Sequence, residues 1–178
     1  MSAVRILDTE RLALRTIAPD DAPFYLALVN DPAFIVYIGD RGIRTLDAAR
    51  EAIANGPMAM QAALGHSLYL VERKDDGAPI GMCGLIKRDT LDDVDIGYAF
   101  LPQYRGHGYA REAAAAVCAL APTLGIRRLL AITSPDNAGS IALLLKLGLR
   151  FQRLAHLTPD DPGTNVYAAD LPAAAAVA

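Results

Sequence analysis

The sequence predicts an α+β domain, layered as helix on sheet, with a mixed, mostly antiparallel sheet and helices on both faces. Three observations carry that reading. Residues 67–73 and 79–87 are β-rich runs joined by Lys74-Asp75-Asp76-Gly77, a hairpin signal, and 94–100 adds a third strand to the meander. An alanine-rich helical stretch, 108–120, follows that third strand across a short loop with two glycines. A second strand and helix, 128–134 and 140–147, then lead into a closing hairpin of 151–156 and 166–170 around Pro159-Asp160-Asp161-Pro162-Gly163.

The remaining elements follow from local chemistry. Residues 9–16 alternate apolar and polar as a strand does. Pro19-Asp20-Asp21 supplies a helix start, and Phe24, Leu26, Leu28 and Val29 give that helix its apolar side before Asn30-Asp31-Pro32 breaks it. A short helix is expected at 33–37, then a loop at Gly39-Asp40-Arg41-Gly42. Thr45 opens a further helix that Gly56-Pro57 is expected to end, with a turn or two of helix over 58–64. On the 108–120 helix, Ala113, Ala114, Val117, Cys118 and Ala121 share one face, so small side chains would let it approach the sheet closely. Gly148 is placed to terminate the 140–147 helix. The chain of 178 residues reads as one domain over 1–172, with a frayed tail at 173–178.

Composition excludes several classes. A net charge of −3 with no basic face argues against a general nucleic-acid binder. The longest apolar stretches fall short of a membrane span, and no secretory leader pattern opens the chain, so the expected place is the cytoplasm, away from membranes. Cys83 and Cys118 share no metal-like spacing with His66, His107 and His156, so reduced thiols and no metal are expected.

The most informative stretch is Leu101-Pro102-Gln103-Tyr104-Arg105-Gly106-His107-Gly108-Tyr109-Ala110. Glycines allow backbone N–H groups to turn inward, and the helix start behind them carries partial positive charge, which together make an anion site suited to a pyrophosphate. A P-loop is excluded because no Lys-Ser or Lys-Thr pair occurs. The dinucleotide fingerprint is excluded by Arg111, which stands where a small residue is required.

What remains, Gln103-x-x-Gly106-x-Gly108, resembles the coenzyme A loop of the GNAT acetyltransferase superfamily. A second block strengthens the resemblance: a strand, then Asn137-x-x-Ser140, then a helix closing in Lys146-Leu147-Gly148-Leu149, with Leu149 where the family usually has Phe. The opening Thr9-Glu10-Arg11-Leu12-Ala13-Leu14-Arg15 is similar to the first strand of the RimJ/RimL-like branch.

The resemblance implies an acetyl-CoA-dependent N-acetyltransferase with a V-shaped cofactor cleft between the strands ending near Phe100 and Ser134. It implies main-chain cofactor contacts from Arg105, Gly106, His107, Gly108, Tyr109 and Ala110, and pairing of the pantetheine arm with Tyr98, Ala99 and Phe100, where a bulge would aim an N–H at the thioester oxygen. Arg105 and His107 are placed to add charge near the phosphates; a solvated loop position is the other reading of His107. Asn137 matches the family asparagine that contacts the cofactor, a role compatible with capping a helix.

Asp95, before Gly97-Tyr98, is the candidate general base; alternatively it positions the substrate ammonium or faces solvent. Leu144 stands where many relatives carry an acidic tyrosine, which leaves Ser140 as the available hydroxyl, either proton donor to the thiolate or helix cap. Tyr37, Asp40, Arg41, Arg44, Lys87 and Arg88 are the acceptor-binding candidates, with Asp40, Arg41 and Arg44 on a polar, glycine-rich run from 38 to 45. The acceptor is a small-molecule or peptide amine, and the resemblance also admits a homodimer. A non-catalytic acyl-CoA-binding module is the alternative function.

Overall fold

Alternation of apolar and polar residues, interrupted by turn chemistry, builds one eight-stranded sheet in the computed structural model, which describes residues 2–174. Its strands are β1 (Arg5–Asp8), β2 (Leu12–Thr16), β3 (Leu68–Arg73), β4 (Pro79–Ile86), β5 (Asp95–Phe100), β6 (Arg128–Thr133), β7 (Arg150–Ala155) and β8 (Thr164–Asp170). The spatial order is β1-β2-β3-β4-β5-β6-β8-β7. Every pairing is antiparallel except β5 with β6. The helices are α1 (Ala22–Val29), α2 (Pro32–Tyr37), α3 (Leu46–Ile53), α4 (Ala59–Leu64), α5 (Tyr109–Leu120) and α6 (Ala138–Lys146). Among the described residues no helix is long and apolar enough to cross a membrane.

The two faces of the sheet are covered by different helices. α5 buries Ala113, Ala114 and Val117 against Leu12, Leu14, Leu85, Ile96 and Phe100, and Leu144 of α6 joins the same cluster. Methyl-sized side chains let α5 lie close to the strands, so enlarging Ala113 or Ala114 would cost about 1–3 kcal/mol by overpacking. On the other face, Phe24 and Leu28 of α1 and Ala49 and Ile53 of α3 pack on Leu70 and Met82. Alternation therefore sends Ile96 of β5 toward α5, while Ala99 packs with the N-terminal helices.

Three expectations are corrected. The stretch 9–16 is not one strand: Thr9 N–H donates to the Leu12 carbonyl at 2.9 Å, making a turn between β1 and β2. The RimJ/RimL-like opening is therefore a turn plus the second strand; β1 is short and mostly exposed, with no alternating apolar signal.

Gly56-Pro57 does not end its helix. A π-helical turn, Ala54–Met58, carries Pro57 inside and joins α3 to α4. Proline lacks an N–H and crowds the carbonyl four residues back, and the wider turn relieves that crowding. No bulge interrupts β5 either; its register with β4 runs unbroken from Asp95↔Ile86 to Phe100↔Gly81. Of the expected tail 173–178, positions 175–178 lie outside the described residues.

Candidate active site

The sheet divides between β5 and β6. These parallel strands pair at Asp95↔Leu130, where Leu130 N–H donates to the Val94 carbonyl at 2.9 Å. Beyond that point β5 remains bonded to β4 and β6 to β8, so the two diverge toward their C-terminal ends. A cleft of about 750 Å³ fills the divergence, a volume typical of small-molecule sites. Leu101 N–H donates to the Ile80 carbonyl, and antiparallel alternation consequently turns the N–H and C=O of Tyr98 away from β4, into the gap.

At the mouth of the cleft the chain leaves Phe100 through a 3₁₀ turn, Pro102–Tyr104, and enters α5 through Gly106 (φ 78°) and Gly108 (φ 80°). Both glycines hold left-handed backbone that L side chains rarely adopt. The N–H groups of Gly106, His107 and Gly108 have no acceptor among the described residues. The first bond inside α5 runs from Glu112 N–H to the Gly108 carbonyl, so the N–H groups of Tyr109 and Ala110 also precede the helical ladder. Ala110 lines the cleft. A row of uncommitted donors at the start of a twelve-residue helix fits a diphosphate.

Arg105 departs from its expected role. Its N–H donates to the Pro102 carbonyl at 3.3 Å, which takes it out of the donor row. Its guanidinium donates to the Phe100 carbonyl at 2.8 and 3.1 Å and to Asp31 Oδ2 at 2.7 Å. Asp31 is buried and also caps α2 through Phe34 N–H. Arg105 thus ties the loop to β5 and the N-terminal helices. The exposed His107 contributes its carbonyl as a fixing point, and its ring lies 5.8 Å from that of Tyr109.

Glu112, which the sequence reading did not single out, holds this loop together with Thr9 and Arg11 of the opening motif. Glu112 accepts hydrogen bonds from Thr9 Oγ1 at 2.6 Å, Arg11 N–H at 2.8 Å and Arg11 Nε at 2.7 Å. Arg11 Nη1 donates to the His107 carbonyl at 2.9 Å, and its guanidinium lies 4.5 Å over the Tyr109 ring. Burial alone would raise the Glu112 pKa, but these donors outweigh it and hold the carboxyl below the usual range. The sequence signal was present in Thr9 and Arg11 of the opening motif. Their partner lies on a distant helix.

Asp95 is fully buried at the narrow end of the cleft, which removes the solvent-facing reading. Arg88 Nε reaches both its oxygens, at 3.0 and 3.2 Å. Burial raises the Asp95 pKa, and the Arg88 charge and hydrogen bonds offset that only in part. Across the cleft, the Tyr98 hydroxyl lies 2.8 Å from Ser140 Oγ at the start of α6. Burial pushes the Tyr98 phenol up to about 12, against the lowering effect of the Ser140 hydrogen bond.

Asn137 Oδ1 accepts from Ser140 N–H at 3.3 Å, so the helix cap is realised in a residue that also lines the cleft. Leu144 is buried beneath them. Ala99, Phe100, Tyr37 and Arg41 line the cleft. Asp40 is not among the lining residues: its carboxylate is engaged by Gly42 N–H at 2.9 Å and by Arg44 at 2.7 and 2.9 Å.

A family model for the acetyltransferase (GNAT) domain matches residues 11–150, from the turn before β2 to the start of β7. The chain belongs to the GNAT acetyltransferase family. Among curated relatives of this GNAT protein is the uncharacterized N-acetyltransferase YoaA of Bacillus subtilis, 31% identical, with 91% of this chain and 94% of YoaA covered. Among solved structures, an acetyltransferase from Agrobacterium tumefaciens is 27% identical, with a TM-score of 0.79 and 96% of each chain covered.

RimL, a ribosomal L7/L12 α-N-protein acetyltransferase solved with coenzyme A, shares the fold at 18% identity and a TM-score of 0.79, with 94% of this chain and 98% of RimL covered. The mixed sheet with helices on both faces is the GNAT fold, and the chain is an acyltransferase.

Proposed function

We propose that this GNAT protein moves the acetyl group of acetyl-CoA to a primary amine by direct attack in a ternary complex. The observation that carries the reading is the split between β5 and β6, with the uncommitted N–H groups from Gly106 to Ala110 on the loop that runs between the lining residues Arg105 and Ala110. Those donors hold the diphosphate, and the Tyr98 main chain pairs with the pantetheine arm, which directs the thioester toward the narrow end of the cleft. Catalysis then comes largely from holding two reactants in attacking geometry.

Asp95 accepts the proton that the amine must lose. Its upward-shifted pKa makes it a stronger base than an exposed carboxylate, and it shares the narrow end of the cleft with Arg88. As the new C–N bond forms and the C–S bond breaks, the departing thiolate accepts a hydrogen bond from Ser140 Oγ, whose hydroxyl the Tyr98 phenol orients; the proton taken by Asp95 returns to solvent, from which the released thiolate is protonated. No enzyme-bound acyl intermediate is required. A peptide N-terminus and a small-molecule amine are both suitable acceptors by chemistry; RimL, which shares the fold, acts on a protein α-amine.

The test is release of free thiol from acetyl-CoA against a panel of amines. Amine-dependent release is expected. Tight acetyl-CoA binding with no release for any amine would favour a non-catalytic acyl-CoA-binding module.

A further inference from the structure

The ionisable side chains that line the cleft, tyrosines aside, are Arg41, Arg88, Arg105 and Asp95. In a chain of net charge −3, this lining is formally positive. Two of the three arginines are already committed: Arg88 to Asp95, and Arg105 to Asp31 and the Phe100 carbonyl. Arg41 has no hydrogen-bond or ion-pair partner among the described residues. The single lining carboxylate, Asp95, is bonded through both oxygens to Arg88.

Arg41 is carried on a pinned segment. Its neighbour Asp40 bonds Gly42 N–H and Arg44, and Arg44 Nη1 donates to Asn30 Oδ1 at 2.8 Å. Asn30 Nδ2 in turn donates to the carbonyls of Leu26 and Ile43, each at 2.8 Å. The loop is therefore fastened to the end of α1. It presents Arg41 to the cleft, near Tyr25. The Arg41 charge is felt by the Tyr25 hydroxyl, where it works against the upward shift caused by burial.

A guanidinium offers a planar fork of donors that matches a carboxylate in bidentate fashion. A polycationic amine entering this cleft meets net positive charge and no uncommitted carboxylate, which disfavours it by repulsion as well as by lack of partners. We propose that the acceptor is a primary amine that also bears a carboxylate, bound by Arg41 while its nitrogen faces the thioester. The proposal rests on the transferase reading above. The same chemistry occurs in free amino acids and in peptides with an acidic residue near the N-terminus.

The experiment compares kcat/KM for matched acceptors: aspartate against its diamide, an Ala-Asp-Ala peptide amide against Ala-Asn-Ala amide, and spermidine as polycation. Wild-type protein is expected to prefer at least one carboxylate-bearing member over its neutral match by about tenfold, the scale of one charge-assisted hydrogen-bonded contact. The pair that shows the preference identifies the source as free amino acid or peptide.

Arg41→Gln should remove the preference, Arg41→Lys should restore part of it, and Arg41→Glu should invert it toward spermidine. The KM for acetyl-CoA should stay the same in all three. Equal or better turnover of spermidine by wild type, or an undiminished preference in Arg41→Gln, would overturn the proposal while leaving the transferase reading intact. Absence of thiol release with every amine would overturn both.

Discussion

The Tyr98 hydroxyl and Ser140 Oγ, 2.8 Å apart, join β5 to α6 across the split in the sheet. Ser140 stands three positions after the Asn137 that caps α6. Family tyrosines that serve as general acid would stand at Leu144, which is buried in the core here. The Tyr98–Ser140 pair occupies the gap with two hydroxyls on one hydrogen bond.

Because that pair holds the departing thiolate by a hydrogen bond, Ser140→Ala and Tyr98→Phe should each lower kcat, by about tenfold on the scale of one hydrogen bond to a charged group. The double variant should be little worse than either single one, because the two act as a unit. Steady-state thiol release gives the rates, and a thermal midpoint within a few degrees of wild type separates them from a folding defect.

Arg11 binds the His107 carbonyl and so fixes the loop whose neighbouring N–H groups have no acceptor among the described residues. Arg11→Ala should therefore raise the KM for acetyl-CoA by about tenfold, the worth of one hydrogen bond to a charged group. It should leave the KM for S-acetyl-pantetheine, which lacks the diphosphate, unchanged. The folded state should lose little stability, since the guanidinium is half-exposed.

Acid should loosen the same clamp. The Glu112 carboxyl is held below its usual range, so its contribution exists above that range and is lost as pH falls through the lowered value. Coenzyme affinity measured from neutral pH downward should decline as Glu112 protonates. Glu112→Gln should start weaker and show a flatter decline.

The Asp95–Arg88 pair predicts the opposite sign. Burial raises the Asp95 pKa, so the neutral form is the better tolerated one, and stability tied to it is lost as pH rises through the folded value. Arg88→Ala removes the partner that offsets burial, and the half-active point on the acid limb of kcat/KM should move to higher pH. Asp95→Ala should lower turnover and abolish that limb. At neutral pH Arg88→Ala should destabilise more than Asp95→Asn, because it strands a buried carboxylate, and acidification should narrow the difference.

Local chemistry made much of this fold readable. The Lys74–Gly77 turn and the alanine face of α5 are local patterns, and the loop glycines at 106 and 108 carry the positive φ values that their role needs. The sequence is least legible where a distant partner decides the outcome. Arg105 lines the cleft as its loop position suggests, but its guanidinium is bound by Asp31 and the Phe100 carbonyl, partners that no local pattern shows. Glu112 gains its meaning from Thr9 and Arg11, far back in the chain. The Asp40 carboxylate, an acceptor candidate by its place in a polar loop, is engaged by Arg44 and by Gly42 N–H. Gly56-Pro57 carries a helix-ending signal that a π-helical turn absorbs, and tertiary packing of α3 on α1 rewards continuity there.

The central claim is that main-chain donors from Gly106 to Ala110 grip a diphosphate. Isothermal titration of the purified protein with coenzyme A and, separately, with pantetheine tests it directly. The account predicts micromolar binding of coenzyme A and far weaker binding of pantetheine. Equal affinity for the two, or no heat with coenzyme A on folded protein, would contradict it.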